Sequence, residues 1–213
     1  MKNLALTITA ILIFAGAATL RAQNPTGGDT DEATHNVTVN IPMFALVDVE
    51  DGGADIILTP GISNEAGSPL DFSVASASDN SGYLNYTSVV GSSDGNNVDY
   101  YGNGEGSGDV SERRITVVTN GALNGTGVAL QLVAASDAGG GAGQVGSPVA
   151  VLPLSSTTQN LITGIGSCYT GDGTSSGHNL TYSLVQTQDA NGVDYGALSS
   201  GSYDVTITYT ITD

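Results

Sequence analysis

An all-β sandwich of about eight to ten strands, with long Gly/Ser/Asp-rich loops, is the fold this sequence predicts. Three observations carry it. Short β-branched runs alternate with clusters of Gly, Ser, Asn and Asp, and almost no stretch has helical period. Every odd residue from Val37 to Val49 is apolar, and so is every odd residue from Tyr203 to Ile211. Asn120-Gly121, Asn124-Gly125 and Asn191-Gly192 are hairpin-type punctuation, because Gly tolerates the positive φ that tight turns demand.

Taken in order, the chain opens MKNLALTITAILIFAGAATLRAQN. Lys2, the apolar run from Leu4 to Leu20 and the Leu20-Arg21-Ala22 cleavage site make residues 1–22 a secretory signal peptide. A retained anchor needs roughly 20 apolar residues, and this run is shorter and interrupted by Thr and Gly. A lipid anchor needs a Cys at the new N-terminus, and the one cysteine is Cys168. The expected product is secreted, extracellular or at the cell surface, with no membrane insertion after cleavage. Residues 23–34 (QNPTGGDTDEAT) form a flexible leader, and 35–213 a single β-sandwich domain.

At about 3.3 Å per residue, the alternating segment 37–49 would span about 43 Å, against roughly 17–20 Å for an ordinary strand. Pro42 divides it, since proline has no N–H to give a ladder. Met43 to Val49 is then the first strand of the domain. Val37, Val39 and Ile41 either fold back on the same sheet or add to a neighbour's. Further strands are expected at 54–59, 70–75, 83–90, 114–119, 128–134, 148–153, 180–187 and 202–213. The inserts 91–109 and 136–147 hold too few apolar residues for a core and are expected as surface loops. GIGSCYTG (164–171) lacks the Lys and the helix of a phosphate loop and is expected as a tight turn. At the end, Tyr203, Val205, Ile207, Tyr209 and Ile211 share one face, so this terminal strand needs a partner layer. No wall-sorting tail is expected, since that signal is apolar and followed by basic residues.

Charge narrows the function. After cleavage Arg113 and Arg114 remain, with no lysine, against 21 acids, which is a net charge of −19. Nucleic acid is excluded as a partner, and adsorption to anionic lipid is disfavoured. Such an excess favours solubility but makes the fold repel itself, and salt or divalent cations relieve the repulsion. Cys168 cannot form an internal disulfide and is expected as a small buried hydrophobe.

No enzyme is expected. GSSDG (91–95) and GTSSG (173–177) fit G-x-S-x-G, but that motif works only where a strand turns into a helix, and no helical sequence follows either. His35 and His178 are too few for a multi-histidine zinc centre and are expected to be solvated at strand edges; a mixed site with Cys168 lacks ligand spacing. No cofactor is expected apart from calcium, for which Asp94, Asn96, Asp99 and Glu105 offer oxygen ligands, with Asp189, Asn191 and Asp194 as a second group. Tyr100 and Tyr101 are the adjacent aromatic pair that a sugar would contact, there being no Trp. Arg113-Arg114 opens a strand with its side chains on opposite faces, suiting it to neutralise nearby acids. Sequons stand at Asn36, Asn85, Asn124 and Asn179.

The export signal, the early alternating segment, the Gly- and Thr-rich strands and the ending GSYDVTITYTITD resemble secreted pilin-type subunits of the spore coat protein U-like and chaperone–usher-like fimbrial families. The last strand of those families typically begins Gly-x-Tyr, matched by Gly201 and Tyr203. The resemblance implies an incomplete immunoglobulin-like sandwich finished by a strand from the next subunit, giving a filament. Many such subunits carry a disulfide, which one cysteine cannot make. The leader is too polar to be a donor, so Val37, Val39 and Ile41 are the residues that could insert. Isopeptide-stitched pilins are excluded because the mature chain has no lysine. The expected function is therefore an exported structural subunit that self-associates through sheet edges. The alternative is a secreted binding module for carbohydrate or calcium, built on the loop around Tyr100 and Asp94.

Overall fold

The computed structural model describes residues 35–51, 55–91, 98–99, 112–189 and 192–213. The chain divides into two units between Val39 and Asn40. Of the first, only residues 35–39 are described, and they contain no strand. Among the described residues the second unit holds twelve strands: β1 (Pro42–Glu50), β2 (Ser78–Val89), β3 (Val98–Asp99), β4 (Arg113–Thr119), β5 (Val128–Asp137), β6 (Ala142–Pro148), β7 (Leu152–Pro153), β8 (Gln159–Tyr169), β9 (His178–Gln186), β10 (Gln188–Asp189), β11 (Gly192–Val193) and β12 (Ile207–Thr212).

The hydrogen-bonded order is β12–β4–β8–β2–β9–β5–β7, with β1 added to β2 and β6 added to β8. The sheet folds over between β8 and β2, where only Thr87↔Tyr169 and Ser88↔Cys168 pair. One arm is β12–β4–β8–β6 and the other β1–β2–β9–β5–β7, each antiparallel throughout. The result is an all-β, sandwich-like fold. Its strands form because alternation puts apolar side chains on the face that the other arm covers. Leu130, Leu132 and Ala134 of β5 and His178, Leu180 and Tyr182 of β9 show this period, and all six are buried. All but His178 meet Ile115 and Val117 of β4 and Leu161, Ile162 and Ile165 of β8 in one core cluster that both arms share.

Several expectations are corrected. Residues 55–59 and 70–74 form no strand; they lie in a connection closed by a Gly61↔Asp71 bridge and by Thr59 N–H donating to the Ser76 carbonyl. The 148–153 strand shrinks to Leu152–Pro153. The expected loop 136–147 contains most of β6, and the expected turn 164–171 is largely the end of β8. The terminal strand begins at Ile207, not at Ser202. Val37 to Ile41 is no strand, and β1 starts at Pro42.

Candidate functional site

The residues that bear on association lie at strand edges. In β1, Met43 is buried and Ala45, Val47 and Val49 are half-buried, while Leu46 and Asp48 face out, as the alternation requires. β1 pairs with β3 in parallel at Pro42 and Met43, and over Ala45–Glu50 β2 is its sole strand partner among the described residues. Just before it, the Ile41 side chain is 71% exposed; Val37 and Val39 are 73% and 75% exposed. The three candidate assembly residues thus share a sequence period with β1 but have no ladder of their own.

The terminal segment is held differently. β12 pairs with β4 without a break, from Ile207↔Thr119 to Thr212↔Arg114, and no other strand pairs with it among the described residues. Val205, Ile207, Tyr209 and Ile211 are half-buried against the core. The Tyr209 and Tyr182 hydroxyls share a hydrogen bond of 2.6 Å that joins the two arms. Burial pushes both phenols above the ordinary tyrosine value. Tyr203 stands outside the strand, partly exposed, with its hydroxyl bonded to Ser199 at 2.6 Å.

Arg113 ties these edges together. Its Nε forms an ion pair with Asp213 Oδ1 at 2.9 Å, and its Nη1 donates to the carbonyls of Phe44 at 2.6 Å and Val89 at 3.3 Å. One guanidinium therefore gathers the starts of β1 and β4, the end of β2 and residue 213. Arg114 faces outward and is exposed. The expected opposite-face arrangement holds, and its consequence is that one arginine is structural.

Sequence reasoning placed His178 at a solvated edge; it is instead completely buried. Its Nδ1 lies 2.8 Å from the Ala135 carbonyl and its Nε2 lies 2.7 Å from the Tyr86 hydroxyl, which also bonds the Val145 carbonyl of β6. The signal was available, since His178 has the same parity as Leu180 and Tyr182. Burial pushes the Tyr86 phenol far up, with the nearby Cys168 and Asp137 adding to it. Cys168 is buried as expected, and burial raises its thiol too, with Asp137 adding. His35 is exposed.

Asp94, Asn96, Glu105, Tyr100 and Tyr101 lie outside the described residues, as does Asn191; Asp99 is described as the backbone partner of Met43. Among the described residues no three His, Cys, Asp or Glu side chains gather as a metal site. The 173–177 G-x-S-x-G segment turns β8 into β9, with Ser176 N–H donating to the Gly173 carbonyl, so it joins strand to strand rather than strand to helix. No family model, curated protein or solved structure matched this chain.

Proposed function

We propose that this protein is an exported structural subunit of a surface or extracellular filament, whose copies associate through sheet edges. The single observation that carries the reading is the alternating apolar segment Val37, Val39 and Ile41, which is exposed and outside any strand, next to the edge strand β1. The terminal strand supports it by contrast: β12 is already paired with β4 and bonded to the opposite arm, so it is not free to be exchanged. An immunoglobulin-like sandwich with an open edge would accept such a segment from the next copy.

Burying three aliphatic side chains yields about 2 kcal/mol each, roughly 6 kcal/mol in all. Association costs about 4–15 kcal/mol in lost translational and rotational freedom. Side-chain burial alone therefore does not drive assembly against a net charge of −19 per mature copy; the backbone ladder along the edge must contribute, and salt must screen the charge. Electron microscopy and sedimentation of the mature chain at moderate salt test the reading. Elongated assemblies are expected, and a chain lacking residues 23–41 should remain monomeric. A strictly monomeric mature chain, or a deletion that assembles as well as the parent, overturns it.

A further inference from the structure

Two Asn-Gly pairs stand four residues apart in the β4–β5 connection, and the fold treats them in opposite ways. The Asn120 side chain is held at both ends: Nδ2 donates to the Asp204 carbonyl at 2.9 Å and Oδ1 accepts from Ala122 N–H at 3.2 Å. The following amide is engaged as well, since Gly121 N–H donates to Thr119 Oγ1 at 3.4 Å. Asn124 is exposed, and neither its side-chain amide nor the Gly125 N–H has a hydrogen-bond partner among the described residues.

This difference matters because an Asn-Gly pair carries its own electrophile and nucleophile. The backbone nitrogen of the Gly can attack the side-chain Cγ of the Asn, and Gly presents no side chain to block the approach. A C–N bond forms, the side-chain nitrogen leaves as ammonia with the proton from the Gly amide, and a five-membered succinimide remains. Water then opens either carbonyl, giving aspartate or the isoaspartyl form with its backbone routed through the side chain. Water is the only co-reactant. Reaction at Asn120 first requires its side chain to rotate away from Asp204 and Ala122 and the Gly121 N–H to leave Thr119.

We infer that Asn124 is a site of spontaneous deamidation in the folded protein, while the identical dipeptide at Asn120 is protected. The product adds a carboxylate to an already acidic chain. In the isoaspartyl form it also lengthens the backbone of a turn closed by Asn124 N–H to the Gly121 carbonyl and by Thr126 N–H to the Leu123 carbonyl. That turn borders a small cleft lined by Leu123, Leu130, Leu154 and Val205, where the β4–β5 connection crosses from one arm to the other.

The test is prolonged incubation of the intact mature protein at mildly alkaline pH. Conversion at each asparagine is followed by peptide mass spectrometry and ion-exchange chromatography. Conversion at Asn124 is expected to exceed that at Asn120 by on the order of a hundredfold, because each of three hydrogen bonds contributes somewhat less than a factor of ten. In urea the two sites should convert at comparable rates, and an Asn124→Gln chain should lose the early acidic species while remaining folded. Equal rates at the two sites in the folded protein overturn the inference. So does a folded-state preference for Asn124 that persists unchanged in urea, because local sequence and not the fold would then be its cause.

Discussion

Residues 55–62 carry Ile56, Ile57, Leu58 and Ile62, yet none lies in a strand, and Ile57 and Ile62 are 80% and 82% exposed. The β6–β8 pair is built from AGQVGSP and QNLITGIGSCY, in which glycine recurs, yet it pairs from Ala142↔Tyr169 to Pro148↔Ile162. The greasier segment stays a connection and the glycine-rich one becomes a ladder. Apolar content lets a strand bury a face, but a strand exists only where another backbone satisfies its N–H and C=O groups. The glycines of β6 let that backbone come close. A side chain on Gly143 would overlap the Ser167 carbonyl, and its φ of 93° is one that other residues avoid. Gly141 lies as tightly against the Tyr169 carbonyl.

The largest expected effect breaks that pairing. Gly143→Val combines a backbone clash with a disfavoured φ and should cost more than about 4 kcal/mol of stability, at the severe end for single substitutions. Chemical denaturation measures the loss, and hydrogen exchange should place it first in β6. An unchanged midpoint would refute the close-approach account.

A smaller effect comes from alkali. Tyr86, whose hydroxyl pins β6 through the Val145 carbonyl, is held protonated by burial, as are Tyr182 and Tyr209. Their folded values lie above the unfolded value of about 10, so their contribution is complete below that pH and declines as pH rises beyond it. Each should remove up to about 1.4 kcal/mol of stability per pH unit in that range. The buried Cys168 thiol, also raised, acts in the same direction. In Tyr86→Phe the alkaline slope should therefore fall by about a quarter, with a loss of roughly 1–2 kcal/mol at neutral pH from the hydrogen bonds its hydroxyl makes to the Val145 carbonyl and His178. A slope identical to the parent's would show that Tyr86 ionises without hindrance in the folded chain.

The smallest effect sharpens the other side of the contrast. Ile57→Ser should change monomer stability by less than about 0.5 kcal/mol, because its side chain is already in water. A loss of several times that in a thermal or urea melt would mean that residues 55–62 pack in solution as their composition suggests.

Strands β2, β4, β5 and β9 were legible because each carries buried apolar residues two apart: Leu84 and Tyr86, Ile115 and Val117, Leu130 to Ala134, and Leu180 and Tyr182. β8 was not: its buried apolar side chains are Leu161, Ile162, Ile165 and Cys168, which follow no period of two, and the strand shifts register against β4 and β6. β6 has too few apolar residues to show a face at all. Pro42 was legible as a boundary, since β1 begins there, but the strand expected before it does not form. The apolar run at 54–59 misled because β-branched composition states a preference without naming a partner. Of the assembly candidates, the alternation of Tyr203 to Ile211 was visible, whereas the pairing of Ile207–Thr212 with β4 and the Tyr209–Tyr182 bond were not.

Sequence alone determined the β character of this chain and which side of β1 and β12 faces inward. Both follow from side chains pointing alternately along any extended backbone. Only the tertiary structure decided which extended segments acquired partners, which glycines were needed for close approach, and that His178 and Arg113 are enclosed. Those outcomes depend on which backbone, distant in sequence, arrives within hydrogen-bonding range, and no local pattern encodes that.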